Sequence, residues 1–248
     1  MSVPILSAKD VSITFGGVRA ADGVNLEIMP SEFVAIVGPN GSGKTTFLNL
    51  CTGYIHPTAG SISLAGRDIT GLTPRAITRL GIARSFQIPQ LFTDHSLLEN
   101  VLFAVAARRH FWSLQRPLNR EAYREEAMVL INLVGLEEMA ERSASKLPEG
   151  VRKLADIALA LALKPRLLLL DEPTAGVSAD EKFPLMDTLS AALRAQSVTA
   201  VFVEHDMTLV RNYADRVVVW DQGRVAADGE PGAILSDARV MQNVVGIE

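Results

Sequence analysis

The segment "VAIVGPNGSGKTTF", Val34–Phe47, sets Gly38, Gly43, Lys44 and Thr45 at the spacing G-x-x-x-x-G-K-[ST]. An apolar run precedes it and a helix-like run follows, so the segment reads as a strand, a phosphate loop and a helix start. Glycines there let the backbone wrap closely enough for consecutive N–H groups to point at a phosphate. Pro39, Asn40, Gly41, Ser42 and Thr46 complete the cradle. Lys44 can reach β- and γ-phosphates, and the Thr45 hydroxyl can bind Mg²⁺. A second stretch, "RLLLLDEPT", ends a buried strand in Asp171 and Glu172. Asp171 suits Mg²⁺, held directly or through water, and Glu172 can orient or deprotonate an attacking water. A third, "KLPEGVRKLADIALALAL", opens an apolar helix just after Pro148 and presents Gly150 near its start. Bare amides at such an end attract anions, phosphate above all. Together these motifs imply a nucleoside triphosphatase.

The elements that must position these residues follow from periodicity. Short β-like runs, "VSITF", "VNLEI", "FVAIVG" and "SISLAG", fill the opening third, with a helix at Lys44–Leu50. From Ser96 to about Glu141 apolar residues recur at helical spacing. Beyond Gly150 come a helix, the strand "RLLLL", a helix from about Asp180, the strand "TAVFVEH", and a hairpin of "DRVVVW" with "GRVAADG". This alternation predicts an α/β fold, a P-loop NTPase core whose mainly parallel sheet is covered on both faces. An N-terminal antiparallel β-lobe and a helical lobe inserted at roughly 90–150 complete a single domain over 1–248.

Composition bounds the function. The chain has 248 residues, 48% hydrophobic and 21% charged, which is the make-up of a packed globular protein. A net charge of −4 without a basic run argues against nucleic acid as a partner. Cys51 is the only cysteine, which excludes a disulfide and suits a reducing compartment. The N-terminus has no signal-peptide pattern, and the apolar runs at 154–163 and 167–170 are too short to span a bilayer.

In chain order come the phosphate loop, Gln87 in "ARSFQIPQ", "LPEGVRK", "LLLLDEPTAG" and His205 after "VFVE". This order resembles the ATP-binding subunit of ABC transporters, and the resemblance covers essentially the whole chain. It implies ATP and Mg²⁺ as ligands, with Thr45, Gln87 and Asp171 at the metal. It implies Glu172, His205 and Gln87 as the groups that manage the attacking water, and Phe15 in "ITFGGVRA" as the ring against adenine. It places Gly150 in a signature sequence that crosses a dimer interface to the partner's γ-phosphate. The departures Pro148 and Val151, where the family has serine and glutamine, are expected to weaken the site this signature completes.

The resemblance also implies transmembrane permease subunits, a second ATP-binding subunit and a cytoplasmic, peripheral place on the inner membrane face, with no insertion of its own. "FGGVRA", "RSFQIPQLFTDHSLLENV", "RRHFWSLQR" and "DEPTAGVS" resemble the branched-chain amino-acid uptake group. Ile88, Leu91, Phe92 and Leu97 are expected to form a groove for a cytoplasmic helix of the permease. His56, His95 and His110 are expected at the surface. A non-transport ABC ATPase of repair or translation and a non-hydrolysing nucleotide-binding regulator are the rival readings.

Overall fold

The computed structural model describes residues 3–85, 87–109 and 121–245; His110 and most of "RRHFWSLQR" lie outside them. The first sheet is antiparallel, in the order β2-β1-β4-β5, from β1 (Leu6–Phe15), β2 (Val18–Ile28), β4 (Ala59–Leu64) and β5 (Arg67–Asp68). The second has the order β10-β9-β3-β8-β7-β6. Its strands are β3 (Phe33–Val37), β6 (Ile82–Ser85), β7 (Leu167–Asp171), β8 (Thr199–Val203), β9 (Arg216–Asp221) and β10 (Arg224–Gly229). Five run parallel and only β10 is antiparallel, so the expected hairpin is an edge of the main sheet.

Every residue of β3, β7 and β8 is buried, which is why these strands read as unbroken apolar runs rather than alternating ones. Their side chains divide between two cores. Phe33, Ala35 and Val37 face one, and Val34 and Ile36 face the other. The first core is roofed by α3 (Leu97–Arg108), α4 (Glu121–Leu133), α5 (Glu149–Ala162), α6 (Ala179–Ala195) and α7 (Met207–Tyr213). The second is closed by α1 (Lys44–Cys51) together with Leu6, Ile28, Ile62 and other inward residues of the antiparallel sheet. The helices α2 (Pro74–Leu80), α8 (Pro231–Ile234) and α9 (Ala238–Val245) complete the chain. The β-lobe is therefore the second covering layer, because its one apolar face has to be buried against something. Cutting Leu169 to Ala in this double-sided core should cost about 2–5 kcal/mol.

Local chemistry sets the helix ends. Thr73 caps α2 ahead of Pro74, and Gly81 ends it in the left-handed conformation. Ser96 and Glu99 form a reciprocal capping box on α3. That box starts the helix at Leu97, whose side chain is fully buried. Leu97 is thus a core residue and not part of a surface groove, while Ile88 and Phe92 are exposed as expected. His56 is exposed, and His95 is partly covered by ring contacts with Phe92 and Phe103.

Glu126 ties the helical lobe together. It accepts from Arg108 at 2.6 Å and Arg109 at 2.7 Å, with Lys164 Nζ at 3.5 Å. Burial pushes its carboxyl up, but the bonds from Arg109 and Arg108 outweigh this and hold it below the ordinary glutamate range. A lowered folded-state pKa means that the stabilisation is present above the unfolded value, about 4.3, and is lost as pH falls through the lower folded one. Acid titration followed by circular dichroism should therefore show a helix-loss step below about pH 4 that is weakened in Glu126→Gln. An acid limb identical in the two proteins would remove Glu126 from this role.

Candidate functional site

The carboxyl ends of four parallel strands deliver the chemistry-bearing residues to one edge of the sheet. Gly38 follows β3, Asp171 ends β7, Glu204 and His205 follow β8, and Gln87 lies two residues beyond β6. This is where α/β sheets bind ligands.

The phosphate loop is pressed onto the sheet and lobe beneath it. A Cβ on Gly38 would lie 2.0 Å from the Trp220 carbonyl oxygen, and one on Gly43 would lie 2.1 Å from that of Ala20. Gly43 also has φ 109°, a left-handed conformation that lets the chain turn directly into α1. Lys44 is buried, and its Nζ donates to the carbonyls of Gly38 and Pro39, both at 2.8 Å. Burial lowers its pKa; the nearby carboxylates of Glu172 and Asp171 pull the other way. Ser42 Oγ is buried with no hydrogen-bond partner among the described residues, and Thr45 is exposed at the start of the helix. A cavity of about 860 Å³ opens beside the loop, bounded by Val18, Arg19, Pro39, Asn40, Gly41 and Ser42 among others. Phe15 pairs with Val18 across the β1–β2 hairpin and is 49% exposed, so it is not a core ring. A buried hydroxyl and a buried cation in one glycine-built loop fit a polyphosphate.

Glu172 is the centre of the second cluster. Its Oε2 accepts from Gln87 Nε2 at 2.7 Å, and its Oε1 lies 3.1 Å from His205 Nε2. Gln87 and His205 thus both contact Glu172, although 85 positions separate Gln87 from Glu172. Next to them the carboxylate of Asp171 accepts from Arg84 at 2.6 Å, and Arg84 also donates to Asn49 Oδ1 at 2.5 Å. Both partners of the Arg84–Asp171 pair are nearly inaccessible to solvent.

Gly150 occupies the first turn of α5, where a Cβ would meet only Val177 Cγ1 at 3.9 Å. Pro148 stands at the N-cap and supplies no side-chain cap. The Glu149 Cγ lies 3.7 Å from a Cβ placed on Gly176, and its charge is felt at Lys153. Its side chain therefore runs toward the Gly176 turn.

Four positioning residues escape sequence reasoning. Arg84 is a cation between two buried strand positions, which is the one signal that could have exposed it. Glu204 is buried at the end of β8 and accepts from Thr174 N at 3.1 Å and from Thr174 Oγ1 at 2.7 Å, fastening the turn after Glu172 next to His205. Lys153 and Asp156 project from α5 onto the loop that carries Gln87. Lys153 Nζ donates to the carbonyls of Gln87 and, at 3.4 Å, of Glu172. Asp156 accepts from Ser85 Oγ at 2.6 Å and from Gln90 N at 3.4 Å. Each end of the loop is thereby pinned.

Residues 21–175 match the family model described as ABC transporter. The chain belongs to that family. Its cassette is 38% identical over 255 residues to the high-affinity branched-chain amino acid transport ATP-binding protein BraF of Pseudomonas aeruginosa, across 99% of each chain. It is 36% identical over 253 residues to the corresponding protein LivG of Escherichia coli, again across 99% of each. A solved ATP-binding cassette of an ABC transporter in its ADP conformation superimposes with a TM-score of 0.88 at 30% identity, covering 99% of this chain and 100% of that one. A nucleotide-free ATP-binding cassette gives 0.86 at 29% identity, with 99% of each covered. The cassette is therefore a nucleotide-binding α/β ATPase of P-loop type. Among its described residues no helix is long and apolar enough to cross a membrane.

The Lys153 contacts give a test. Lys153→Met keeps most of the buried volume but frees the Gln87 carbonyl. We expect kcat for ATP to fall about tenfold, near 1.4 kcal/mol, with ATP affinity held within about threefold. In a Gln87→Ala background the same change should cost much less, because the residue it positions is gone. Additive losses would mean that Lys153 acts elsewhere.

Proposed function

We propose that this cassette is the ATP-hydrolysing subunit that powers an importer of branched-chain amino acids or related small polar solutes, from the inner face of the membrane. The relatives matched over their full length, which are branched-chain amino acid transport ATP-binding proteins, support the substrate class. The hydrolytic assignment rests on one observation, the simultaneous contact of Gln87 and His205 with the carboxylate of Glu172.

In this reading Lys44 and the phosphate-loop amides from Asn40 to Thr46 bind the β- and γ-phosphates, and the half-exposed Phe15 ring stacks on adenine. Mg²⁺, held by Thr45, Asp171 and Gln87 with phosphate oxygens, would neutralise charge on the transferred phosphoryl group. Magnesium sites of this kind use few protein oxygens, which suits a set of one hydroxyl, one carboxylate and one amide. Arg84 holds the Asp171 carboxylate in a fixed direction. Glu172 orients or deprotonates the attacking water; Gln87 and His205 fix its rotamer. The His205 contact is the longer of the two, and its imidazole is exposed, so a γ-phosphate can draw that ring toward itself.

Gly150 is proposed to face the γ-phosphate of ATP on a second cassette, so that two chains sandwich the nucleotides. Ile88 and Phe92, exposed beside Gln87, are proposed to meet a cytoplasmic helix of the permease.

Glu172→Gln tests the hydrolytic assignment. ATP binding should persist, turnover should fall by at least about a hundredfold, and ATP should hold a dimer visible by size exclusion. Near-normal turnover would sink the role. Gly150→Ala tests the sandwich separately. Among the described residues the added methyl would meet only Val177 Cγ1, at 3.9 Å, and alanine favours a helix by up to about 1 kcal/mol, so thermal stability should hold or rise. Activity should nevertheless drop severalfold or more, since the methyl intrudes where the partner's phosphate lies. A fully active variant would rule out that approach.

A further inference from the structure

Far from the nucleotide residues, a cavity of about 600 Å³ opens at the amino ends of β6 and β7. It is bounded by the C-terminal ends of α2, α3 and α5, one strand length or about 13 Å from the phosphate-binding edge. Five cations line it, Arg75, Arg79, Arg108, Lys164 and Arg166, and among the described residues no acidic side chain does. This is a reversal for a chain whose net charge is −4.

Helix dipoles explain part of the set. Arg79 lies in the last turn of α2, Arg108 in the last turn of α3, and Lys164 just beyond α5, where cations are favourable. They do not explain Arg75, which sits in the first turn of α2, the unfavourable end for a cation. Nor do they explain Arg166, which precedes β7. Arg108 and Lys164 share the single carboxylate of Glu126 with Arg109. Among the described residues no carboxylate pairs with Arg79 or Arg166.

We propose that this cavity binds a phosphate-bearing organic anion at a site separate from the ATP site. Guanidinium forks match phosphate oxygens in pairs, and a cluster of them gives a selectivity for phosphate over halide that lysines alone would not. The volume is too large for inorganic phosphate alone and falls in the range of small-molecule sites. Leu80, Leu163 and Ala107 supply an apolar wall for the rest of the ligand. A soluble organic phosphate and an anionic phospholipid headgroup share this chemistry.

The test uses the full chain carrying Lys44→Ala, which silences the phosphate loop, and titrates pyrophosphate by calorimetry. Arg79→Glu with Arg166→Glu should weaken binding about tenfold or more without changing the melting temperature greatly, since both residues are exposed. Glu126→Gln should strengthen it, because Arg108 and Lys164 lose their competing carboxylate. In parallel, the chain is sedimented with phosphatidylcholine vesicles with and without phosphatidylglycerol. Pyrophosphate binding without sedimentation supports the site with a soluble ligand. Sedimentation that needs phosphatidylglycerol and is lost in the double variant supports it with a lipid headgroup. Identical behaviour of the parent and the charge-reversed protein in both arms overturns it, as does capture of a polyglutamate peptide with neither phosphate probe bound.

Discussion

The whole site hangs on the backbone at Glu172. This residue is held at φ 52°, a left-handed conformation that a side-chain-bearing residue adopts at a cost of about 1–3 kcal/mol. Such a conformation persists only where its surroundings over-determine it. Here the Glu172 N–H donates to the Val203 carbonyl at 3.1 Å, and its own carbonyl accepts from Ala175 N at 3.1 Å and from Lys153. An extended residue at this point would carry the carboxylate away from Gln87 and His205. The turn is what swings Glu172 out of the strand axis while Asp171, one residue earlier, stays in register with Val203. Two adjacent acids are thereby given different environments, one buried against Arg84 and one partly exposed between an amide and an imidazole.

Burial of charge follows a consistent division. The two buried lysines, Lys44 and Lys153, are both pulled down in pKa by desolvation and both satisfied by main-chain carbonyls. Neither takes a carboxylate as its direct partner, so the acids of the site remain available for other work. Arg84 is the exception, and its fork fixes Asp171 while reaching Asn49 of α1. Breaking one partner of so buried a pair leaves an uncompensated charge, so this contact rigidifies the edge between β6, β7 and the helix of the phosphate loop.

What could be read from the sequence is what is local in the chain. The phosphate loop, the Asp171–Glu172 pair and the buried strands are contiguous patterns, since each depends on neighbours a few residues away. Gln87 and His205 carry no such pattern. A glutamine after a strand looks like polar surface until the order of motifs assigns it, and only the folded chain brings it across 85 positions to Glu172. Arg84, Lys153, Asp156 and Glu204 were illegible for the same reason: their partners lie 19 to 87 positions away. Leu97 was misplaced because apolar spacing alone does not locate a helix start, whereas the Ser96 capping box does.

Helix α5 joins the ends of this argument. Gly150 and Lys153 are separated by three residues, about 4.5 Å along the axis and less than one turn. Over so short a span a helix is effectively rigid, so the amides at its start and the ammonium gripping the Gln87 loop must move together. Asp156, one turn further on, holds both ends of that loop through Ser85 and Gln90. Pro148 leaves the first turn without a side-chain cap, and Glu149 is drawn back toward Gly176. The N-terminal amides are therefore satisfied by nothing the helix itself supplies. An anion that approaches them has the dipole in its favour and meets no serine hydroxyl. Displacing that end of α5 loads both carbonyls that Lys153 holds, those of Gln87 and Glu172. The contact of Gln87 with the Glu172 carboxylate is in this way mechanically linked to the first turn of α5, the end proposed to face the phosphate of a second cassette's ATP.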